Sequence, residues 1–326
     1  MKANVAIVIV TYNSAGQIRE CLTSVFSQRK QVNQQVIVVD NESRDGTVAL
    51  IRDEFPQVKL ILPGENLGFA KGVNLGASHA DAEFILLLNP DTVILNHAVD
   101  TIVDFARAHR TKGIFGGRTL RPDGSLEPSS CWGAPTLWSM TLFALGLTTL
   151  APRNRWLDPE SLGSWQRDTV REVGVVTGCF LLASSELWEE LGGFDERYFM
   201  YGEDVDLALR ARAAGCRLVI CPEAKLIHEV GQSSATPVHK TLLLYRGKAS
   251  LVRTHWRGVG QSLGLSLLVV GIGLRAAASA AFASGSLPEA AGRWQSLWKR
   301  RSEWLQGYAP AEPTPPLMAE TPSSYP

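Results

Sequence analysis

The sequence predicts an α/β fold in which a doubly wound, mainly parallel sheet carries helices on both faces. Strand-like and helix-like patterns alternate through the first third of the chain, and two apolar strands end in an acidic residue, Asp40 and Asp91. Alternation of this kind implies parallel strands joined by right-handed crossovers. After Gly113 the pattern changes, which predicts a small antiparallel part followed by C-terminal helices.

The first half of the chain is predicted to supply the parallel strands. Val5–Val10 is a continuous apolar run rich in β-branched residues, as expected of a buried strand. Apolar side chains then recur at helical spacing from Ile18 to Phe26, with Asn13 or Ser14 as the N-cap. Further strands are predicted at Val36–Asp40, Val58–Leu62 and Glu83–Asp91, and helices at Thr47–Phe55, Phe69–His79 and Ala98–Ala108.

The second half is predicted to be less regular. The sequence Pro122-Asp123-Gly124 is a turn signal between two short strands. Residues 131–170 are rich in tryptophan and are expected to form an irregular, variable loop region. Beyond them, strands are predicted at Val173–Ala183, Leu218–Cys221 and Lys225–Ile227, and helices at Ser185–Leu191, at Glu203–Ala214 and from Pro237 onward.

Composition is that of an ordinary globular protein. Of the 326 residues, 45% are hydrophobic and 20% are charged, and Lys plus Arg balance Asp plus Glu at 32 each. This balance gives no indication of a nucleic-acid partner. The five cysteines have no C-x-x-C spacing and the N-terminus lacks the pattern of a signal peptide, so a reducing, cytoplasmic location is expected.

Three segments are expected along the chain: an α/β domain over residues 1–236, a helical region over 237–304 and a disordered tail over 305–326. Within the helical region, residues 262–283 are strongly apolar, but Arg275 interrupts the run, and a membrane span needs about 20 apolar residues. A helix that lies on a membrane or packs on the domain is therefore favoured over a span. The flanking basic residues suit anionic lipid head groups, or alternatively form a solvated helix face.

Asp91 is the leading candidate for a metal ligand. Open α/β sheets bind ligands at the carboxyl ends of their strands, where the last residue of a buried strand becomes accessible. A carboxylate there, with Asn89 as a weaker oxygen ligand, suits Mg²⁺ or Mn²⁺, which take part of their coordination from substrate phosphates. The alternative is that Asp91 is the N-cap of a helix.

Polar residues at other strand ends predict a nucleotide contact. Asp40 opens a tight turn rich in Asn, Ser, Asp and Gly, and the loop at residues 11–13 matches it. These residues either contact a base or ribose or only cap the next helix. Asn66 and Gly68 precede a helix with a glycine at every fourth position and are candidates to face a ligand, although such glycines also serve helix packing. The sequence contains neither a dinucleotide fingerprint nor a P-loop.

Glu203, Asp204 and Asp206 lie at the start of a predicted helix, after an aromatic, Gly-rich loop. Helix N-termini favour acidic residues on electrostatic grounds alone, yet a carboxylate on a rigid helix start is also well placed as a general base toward a hydroxyl. Asp206 and Arg210 have the spacing of a structural ion pair. His228 follows a short strand and is either structural or a neutral imidazole that completes a metal shell.

Five motifs occur in the order and spacing of a known family. On these motifs the chain resembles the inverting family 2 glycosyltransferases of the GT-A fold, and within them the bacterial rhamnosyltransferase-like branch. The resemblance covers about residues 4–255 and does not extend over the C-terminal helices. The motifs are Val8–Asn13, Val39–Thr47, Asn66–Phe69, Asn89–Asp91 and Gly202–Asp206.

The resemblance implies a nucleoside-diphosphate sugar as donor and a saccharide or lipid-linked saccharide as acceptor, in cell-surface polysaccharide synthesis at the inner face of the membrane. It favours dTDP-rhamnose among dTDP- and UDP-sugars, and it implies a single displacement without an enzyme nucleophile. The donor side would comprise Thr11, Asn13, Asp40, Asn66, Gly68 and Asn89. Asp91 and His228 would bind Mg²⁺ or Mn²⁺, Asp204 would be the base supported by Glu203, and Thr177 and Gly178 would line the acceptor side.

Two other functions compete with this interpretation. A nucleotidyltransferase-like α/β enzyme would share the sheet and the acids, but it would usually carry a basic loop after the first strand, and residues 11–16 contain no Lys or Arg. A non-catalytic, membrane-associated scaffold of the same fold is expected to have lost Asp91 or the Glu203-Asp204 pair, and the sequence retains both.

Overall fold

A computed structural model describes residues 2–27, 32–109, 111–228, 237–281 and 288–309. The strands in this part of the chain are β1 (Ala3–Thr11), β2 (Gln34–Asp40), β3 (Lys59–Ile61), β4 (Ala82–Leu88), β5 (Thr92–Ile94), β6 (Gly113–Leu120), β7 (Cys131–Trp132), β8 (Arg171–Glu172), β9 (Val175–Val176), β10 (Phe180–Ser184) and β11 (Arg217–His228).

The helices fall into two groups, one interspersed with the strands and one at the C-terminus. The first group is α1 (Ala15–Ser27), α2 (Thr47–Glu54), α3 (Gly68–Ser78), α4 (Ala98–Ala108), α5 (Leu137–Ala144), α6 (Leu147–Leu150), α7 (Ser185–Leu191) and α8 (Glu203–Ala213). The second group is α9 (Pro237–His255), α10 (Gly258–Ala281), α11 (Pro288–Lys299) and α12 (Arg301–Leu305).

The main sheet has the order β3-β2-β1-β4-β10-β6-β11-β5, with β8 beside β11. The pairs β2–β3, β1–β2, β1–β4 and β6–β11 are parallel. Strand β10 lies antiparallel between β4 and β6, and β5 and β8 run antiparallel to β11. The predicted doubly wound, mainly parallel sheet with a small antiparallel part is therefore confirmed.

The alternation of side chains along β1 builds two core layers, one on each face of the sheet. Val5, Ile7 and Ile9 belong to the cluster that packs against α1, and Val8 and Val10 belong to the cluster that packs against α3. The glycine spacing of α3 serves this packing, because a β-carbon on its residue 76 would lie 2.5 Å from the Val8 side chain. Both faces of the sheet are thus covered, and its strand ends remain as the place for a ligand.

Three predictions about the second half are corrected. Residues 131–170 are not simply irregular: α5 and α6 form there and pack on α10, because their apolar side chains find a partner that lies more than 100 residues away. Val173–Ala183 is not one strand but contains two short ones, β9 and β10, in two different sheets. The two strands predicted within 218–227 are one bulged strand, β11.

The C-terminal helices pack directly on the α/β part. His255 of α9 lies 2.7 Å from Asp206 of α8, and the Tyr308 hydroxyl donates to the Met200 carbonyl oxygen at 2.7 Å. Residues 305–309 are ordered against α9, where Tyr308 N–H donates to Ser250 Oγ, so the predicted tail begins too early. The rest of that prediction, residues 310–326, lies outside the described residues.

Candidate active site

The two loops that follow β1 and β2 are hydrogen-bonded to each other. Thr11 Oγ1 donates to Asp40 Oδ2 (2.8 Å), the Asn13 N–H donates to Ser43 Oγ (2.7 Å), and Asn13 Oδ1 accepts from the Arg44 N–H (2.8 Å). Asp40 is only 2% exposed, and its second oxygen accepts from the Ser43 N–H. These bonds give Thr11, Asn13 and Asp40 a part in shaping the loops, while their contact with a nucleoside stays a prediction.

Asn66 and Gly68 form the start of α3. Asn66 Oδ1 accepts from the Gly68 N–H at 3.0 Å, and Gly68 has a φ of +79°. A β-carbon on Gly68 would lie 2.5 Å from the Phe199 carbonyl oxygen, which also accepts from the Phe69 N–H at 2.7 Å. The loop that precedes α8 therefore requires glycine at this position, whereas a ligand contact of Asn66 or Gly68 stays a prediction.

Asp91 and His228 meet at the carboxyl end of β4. Strand β5 begins directly after Asp91 and α4 begins only at Ala98, so Asp91 is not a helix N-cap. His228, the last residue of β11, is paired with Thr92 of β5. This register brings the imidazole Nε2 of His228 to 3.4 Å from Asp91 Oδ1.

A second acid, Glu127, faces the other nitrogen of His228. The imidazole Nδ1 lies 3.5 Å from Glu127 Oε2 and 3.0 Å from Ser129 Oγ, and Glu127 Oε2 accepts from the Ser129 N–H. Burial opposes protonation of His228, but the facing carboxylates of Asp91 and Glu127 outweigh it and raise its pKa to about 9. Sequence reasoning missed Glu127, because no spacing motif links it to His228 and only the tertiary fold brings them together.

The groups at this point fit a divalent cation. Asp91 Oδ1 is buried and lies 3.4 Å from His228 Nε2, and no other donor of the described residues reaches it. A carboxylate oxygen suits Mg²⁺ and Mn²⁺, and imidazole is a further ligand of transition metals. No group of three His, Cys, Asp or Glu side chains that could hold a metal ion occurs in the described part of the chain. Most of the coordination would therefore come from substrate and water.

Asn89, Thr177 and Gly178 hold the neighbouring backbone. The Asn89 N–H donates to the Cys179 carbonyl oxygen at 3.1 Å, which fixes the turn before Asp91 against β10. Thr177 Oγ1 donates to the Ser129 carbonyl oxygen at 2.7 Å, and the Gly178 N–H donates to the carboxylate of Asp204. The segment Thr177-Gly178 thus joins the His228 side of the site to Asp204, while contacts of these residues with metal or acceptor stay predictions.

Glu203 and Asp204 open α8 as two adjacent acids, and no Lys, Arg or His of the described residues forms an ion pair with either. Glu203 is 5% exposed and its Oε2 has no hydrogen-bond partner among those residues. Burial raises the pKa of Asp204 to about 6, and burial together with the charge of Asp204 raises the pKa of Glu203 well above its usual range. A carboxylate with a raised pKa is suited to accept a proton near neutral pH.

Asp206, one turn along, has the opposite environment. It is 1% exposed, but Arg210 Nε lies 2.7 Å from one of its oxygens and His255 Nε2 lies 2.7 Å from the other. Arg210 also donates to the carbonyl oxygens of Leu191 and Gly193. The predicted Asp206–Arg210 ion pair is therefore present, and it connects α8 with α9 and with the loop after α7.

The buried Cys179 and the half-buried Tyr201 each lie within the electrostatic influence of acids from both groups. Burial and the carboxylates of Glu127, Asp91 and Asp204 raise the pKa of Cys179 to about 12. Burial and the carboxylates of Glu203 and Asp91 likewise raise the pKa of Tyr201 to about 12. The fold therefore brings the Asp91–His228 group and the Glu203-Asp204 pair to the same edge of the sheet, although 112 residues of sequence separate Asp91 from Glu203.

Comparisons with known proteins identify the family. The family model for glycosyl transferase family 2 matches residues 6–155. The N-acetylglucosaminyl-diphospho-decaprenol L-rhamnosyltransferase of Mycobacterium tuberculosis is 33% identical over 240 residues, which cover 70% of this chain and 76% of that protein. Rhamnosyltransferase WbbL of Escherichia coli is 29% identical over 235 residues, which cover 69% of this chain and 83% of WbbL.

Solved structures share the fold. The mannosyltransferase PcManGT of Pyrobaculum calidifontis, in complex with GDP-Man and Mn²⁺, has a TM-score of 0.53 and 21% identity, covering 94% of this chain and 84% of that one. GalNAc-T7 with UDP, GalNAc and Mn²⁺ has a TM-score of 0.58 and 15% identity, covering 93% and 55%. The sheet order, the relatives and these structures lead to one assignment: the chain belongs to glycosyl transferase family 2 and has the GT-A fold.

Proposed function

We propose that the protein is an inverting glycosyltransferase that moves rhamnose from a nucleoside-diphosphate sugar to a lipid-linked saccharide. The observation that carries this proposal is the meeting of two unlike acid groups at one edge of the sheet. Asp91 faces His228 with an oxygen that no other donor of the described residues reaches, whereas Glu203 and Asp204 form no ion pair within that part of the chain and have raised pKa values. One group suits a donor diphosphate with its cation, and the other suits a hydroxyl.

Asp204 is the general base in this proposal. Its pKa of about 6 leaves it ionised at neutral pH, yet basic enough to take the proton of an acceptor hydroxyl as the oxygen attacks the anomeric carbon. The Gly178 and Val205 N–H groups bind its carboxylate and orient it. Glu203 is buried beside it, and burial together with the charge of Asp204 raises the pKa of Glu203 well above its usual range.

Asp91 and His228 are the residues that would hold Mg²⁺ or Mn²⁺. When bound, such a cation neutralises the charge of a leaving nucleoside diphosphate. Glu127 fixes the imidazole through Nδ1 and leaves Nε2 directed at Asp91. An oxygen of Asp91 and Nε2 of His228 are thus the atoms proposed to face the diphosphate. The loops at Thr11–Asn13 and Asp40 are the proposed contact of the nucleoside.

The choice of rhamnose and of a lipid-linked acceptor comes from the relatives. Two of them are named rhamnosyltransferases, and one is named for a diphospho-decaprenol substrate. A lipid-linked acceptor also gives a purpose to the apolar C-terminal helices, so we place the enzyme in the cytoplasm at the inner face of the cell membrane. The helical region after residue 236 is proposed to be the part that serves this location.

A donor screen tests the proposal. The purified protein is offered dTDP-rhamnose, UDP-GlcNAc and GDP-mannose with a polyprenyl-diphospho-GlcNAc acceptor, in Mn²⁺, in Mg²⁺ or in chelator, and the released nucleotide and glycolipid are measured. We expect transfer from dTDP-rhamnose, dependence on the cation, and loss of transfer in Asp204→Asn. Full turnover in chelator would remove the metal role, and transfer of another sugar would replace the rhamnose assignment.

A further inference from the structure

Helix α10 has two unlike faces. Val259, Leu263, Val270 and Leu274 are 84%, 45%, 49% and 54% exposed, although large aliphatic side chains normally cover a core. Together with the exposed residues Ser266, Ala277 and Ala281 they recur every three or four positions, so they form a single stripe along the helix. We call these seven residues the outer stripe. It is about 33 Å long at 1.5 Å per residue and contains no charged side chain.

The opposite face of α10 is built into the protein. A β-carbon on Gly264 would lie 2.6 Å from the Trp256 ring, and one on Gly271 would lie 2.5 Å from the Phe143 ring, so glycines allow close packing on α9 and α5. Arg275 donates to the carbonyl oxygen of Phe143 and to Thr149 Oγ1, which ties α10 to α5 and α6. This inner face is incompatible with a helix surrounded by lipid.

Length and composition alone would allow a span, because Gly258–Ala281 has 24 residues and a mean hydropathy of 1.8 over its most apolar window. The inner face of the helix, however, is packed on other helices of the protein. Lipid can therefore contact only its outer face. Helix α9, which packs on the inner face, is joined to α8 by the His255–Asp206 ion pair, so α10 is held against the catalytic part and we expect only its outer stripe to meet a bilayer.

The hairpin of α5 and α6, next to α10, carries further exposed apolar side chains. Trp138, Leu145 and Leu150 are 59%, 61% and 79% exposed, and they flank the helices that pack on α10. Eight of the fourteen large hydrophobic residues that are exposed in the described chain lie on α5, α6, the turn between them, or α10. Such a concentration marks an interaction surface instead of scattered exposed side chains.

The charge distribution favours an anionic partner. Residues 237–309 contain ten Lys and Arg but only two Asp and Glu, so the remainder of the chain has 22 basic and 30 acidic residues. The zero net charge of the whole chain therefore conceals a positive C-terminal region beside a negative catalytic part. Arg253 and Arg257 are exposed just before the outer stripe. Basic residues that flank an apolar helix face are attracted to anionic lipid head groups.

We infer that the outer stripe of α10, together with the exposed leucines of the α5–α6 hairpin, rests on an anionic lipid bilayer without crossing it. This inference rests on the proposed function for its purpose, because it would hold the active site close to a lipid-linked acceptor. The partner is the bilayer surface itself, and a second copy of the chain or another protein is the alternative that the experiment must detect.

Vesicle flotation with matched variants tests the inference. Leu263→Glu/Leu274→Glu places charges on the outer stripe, and Leu62→Glu is the control, since Leu62 is 43% exposed, as Leu263 is, but follows β3 at the far edge of the sheet. The wild type and the control should float with phosphatidylcholine vesicles containing phosphatidylglycerol, less with pure phosphatidylcholine. The double variant should bind about tenfold more weakly or worse, because it loses apolar burial and gains repulsion.

Single cysteine variants that carry a fluorophore test the inference if the double variant fails to fold. All five native cysteines are buried, so Ser266→Cys, in the centre of the outer stripe, can be labelled with an environment-sensitive fluorophore, and Ser78→Cys on α3 is the exposed control. The emission at position 266 should shift to the blue with anionic vesicles and the emission at position 78 should not. Equal behaviour of the two positions overturns the inference.

Two further outcomes distinguish a membrane contact from a protein interface and from a failure of the proposed function. If the wild type is a dimer in solution, the double variant is monomeric and neither floats, the outer stripe is a protein interface and the inference is wrong. Transfer to a short-chain, water-soluble acceptor separates this result from the proposed function. The double variant should retain that transfer, whereas a protein that floats but transfers no sugar would contradict the proposed function and leave the membrane contact standing.

Discussion

Two acid groups at the same sheet edge are built for opposite purposes. Asp91 ends a buried strand and faces His228, whose pKa is raised to about 9, so charge is met by opposite charge. Glu203 and Asp204 begin a helix with no cation opposite them, and burial raises both pKa values. The first group offers a carboxylate and an imidazole that would lose its proton on binding a cation, and it therefore suits a metal ligand. The second stabilises the protonated acid and therefore suits proton transfer.

The contrast also holds within a single helix. Asp204 and Asp206 are two residues apart, but Asp206 points to Arg210 and His255 and is a structural anion. An N-terminal helix position alone would favour all three acids of α8 in their charged form. Their surroundings separate them, so the helix dipole does not explain Glu203 and Asp204. Glu203 and Asp204 are buried without an ion-pair partner among the described residues, which lowers the stability of the folded protein. Asp206 has no such effect, because it is paired.

The largest effect is expected from removing the base. Asp204→Asn should lower the transfer rate by about a thousandfold, within the range for loss of a general base, because the amide cannot accept the hydroxyl proton. Donor binding, measured by calorimetry, should be unchanged. Asp206→Asn is the contrasting variant: it should retain the rate per folded molecule and unfold more easily, because it leaves Arg210 and His255 without their anion. A rate near that of the wild type in Asp204→Asn removes Asp204 from the base role.

Removing the metal-side acid should give the next effect. Asp91→Ala should weaken metal-dependent donor binding by about a hundredfold, because the remaining histidine is a poor ligand for a hard cation by itself. Calorimetry of nucleotide-sugar binding with and without Mn²⁺ measures this. Asp81→Ala, an exposed acid just before the other end of β4, is the matched control and should bind as the wild type does. Donor binding that is indifferent to both chelator and Asp91→Ala would sink the assignment.

The positions of both acid groups could be predicted from the sequence, because one lies at the end of a strand pattern and the other at the start of a helix pattern. An apolar run that stops at an acid indicates a strand end, and acids after a glycine indicate a helix start. The pKa values of Glu203 and Asp204 could not be predicted in the same way, since they depend on burial, which only the tertiary fold determines. The helices within 131–170 escaped prediction for a similar reason, because their apolar faces make sense only once α10 is in place.

Glu127 lies on the metal side of the site, behind His228, and no sequence motif predicts it. Glu127→Gln should weaken Mn²⁺ binding by about tenfold, the usual effect of losing an outer carboxylate behind a histidine ligand. Electron paramagnetic resonance of bound Mn²⁺ gives the affinity without any need for turnover. Glu172→Gln, an exposed acid paired with Arg217, is the control. A loss of thermal stability with unchanged Mn²⁺ affinity would make Glu127 a structural residue only.

The last effect concerns stability and pH, not activity. Asp204 has a pKa of about 6 in the folded protein against an ordinary value of 3.8, so the folded state binds more protons than the unfolded state in this range. Stability that this group contributes is therefore present below about pH 4 and is lost as the pH rises through 6. Asp204→Asn carries no such charge. It should match the wild type near pH 4 and be more stable well above pH 6, by about 3 kcal/mol.

Urea unfolding in chelator at pH 4, 5, 6, 7 and 8 measures this difference in the free energy of unfolding. Chelator removes any metal that is bound at Asp91 and His228. The Asp206→Asn variant should be less stable than the wild type at every pH, because the carboxylate that it removes is paired. A difference between Asp204→Asn and the wild type that stays constant across this pH range would mean that Asp204 titrates normally. The Glu203-Asp204 pair would then be an ordinary solvated helix start, and the division between a charge-holding and a proton-holding acid group would disappear.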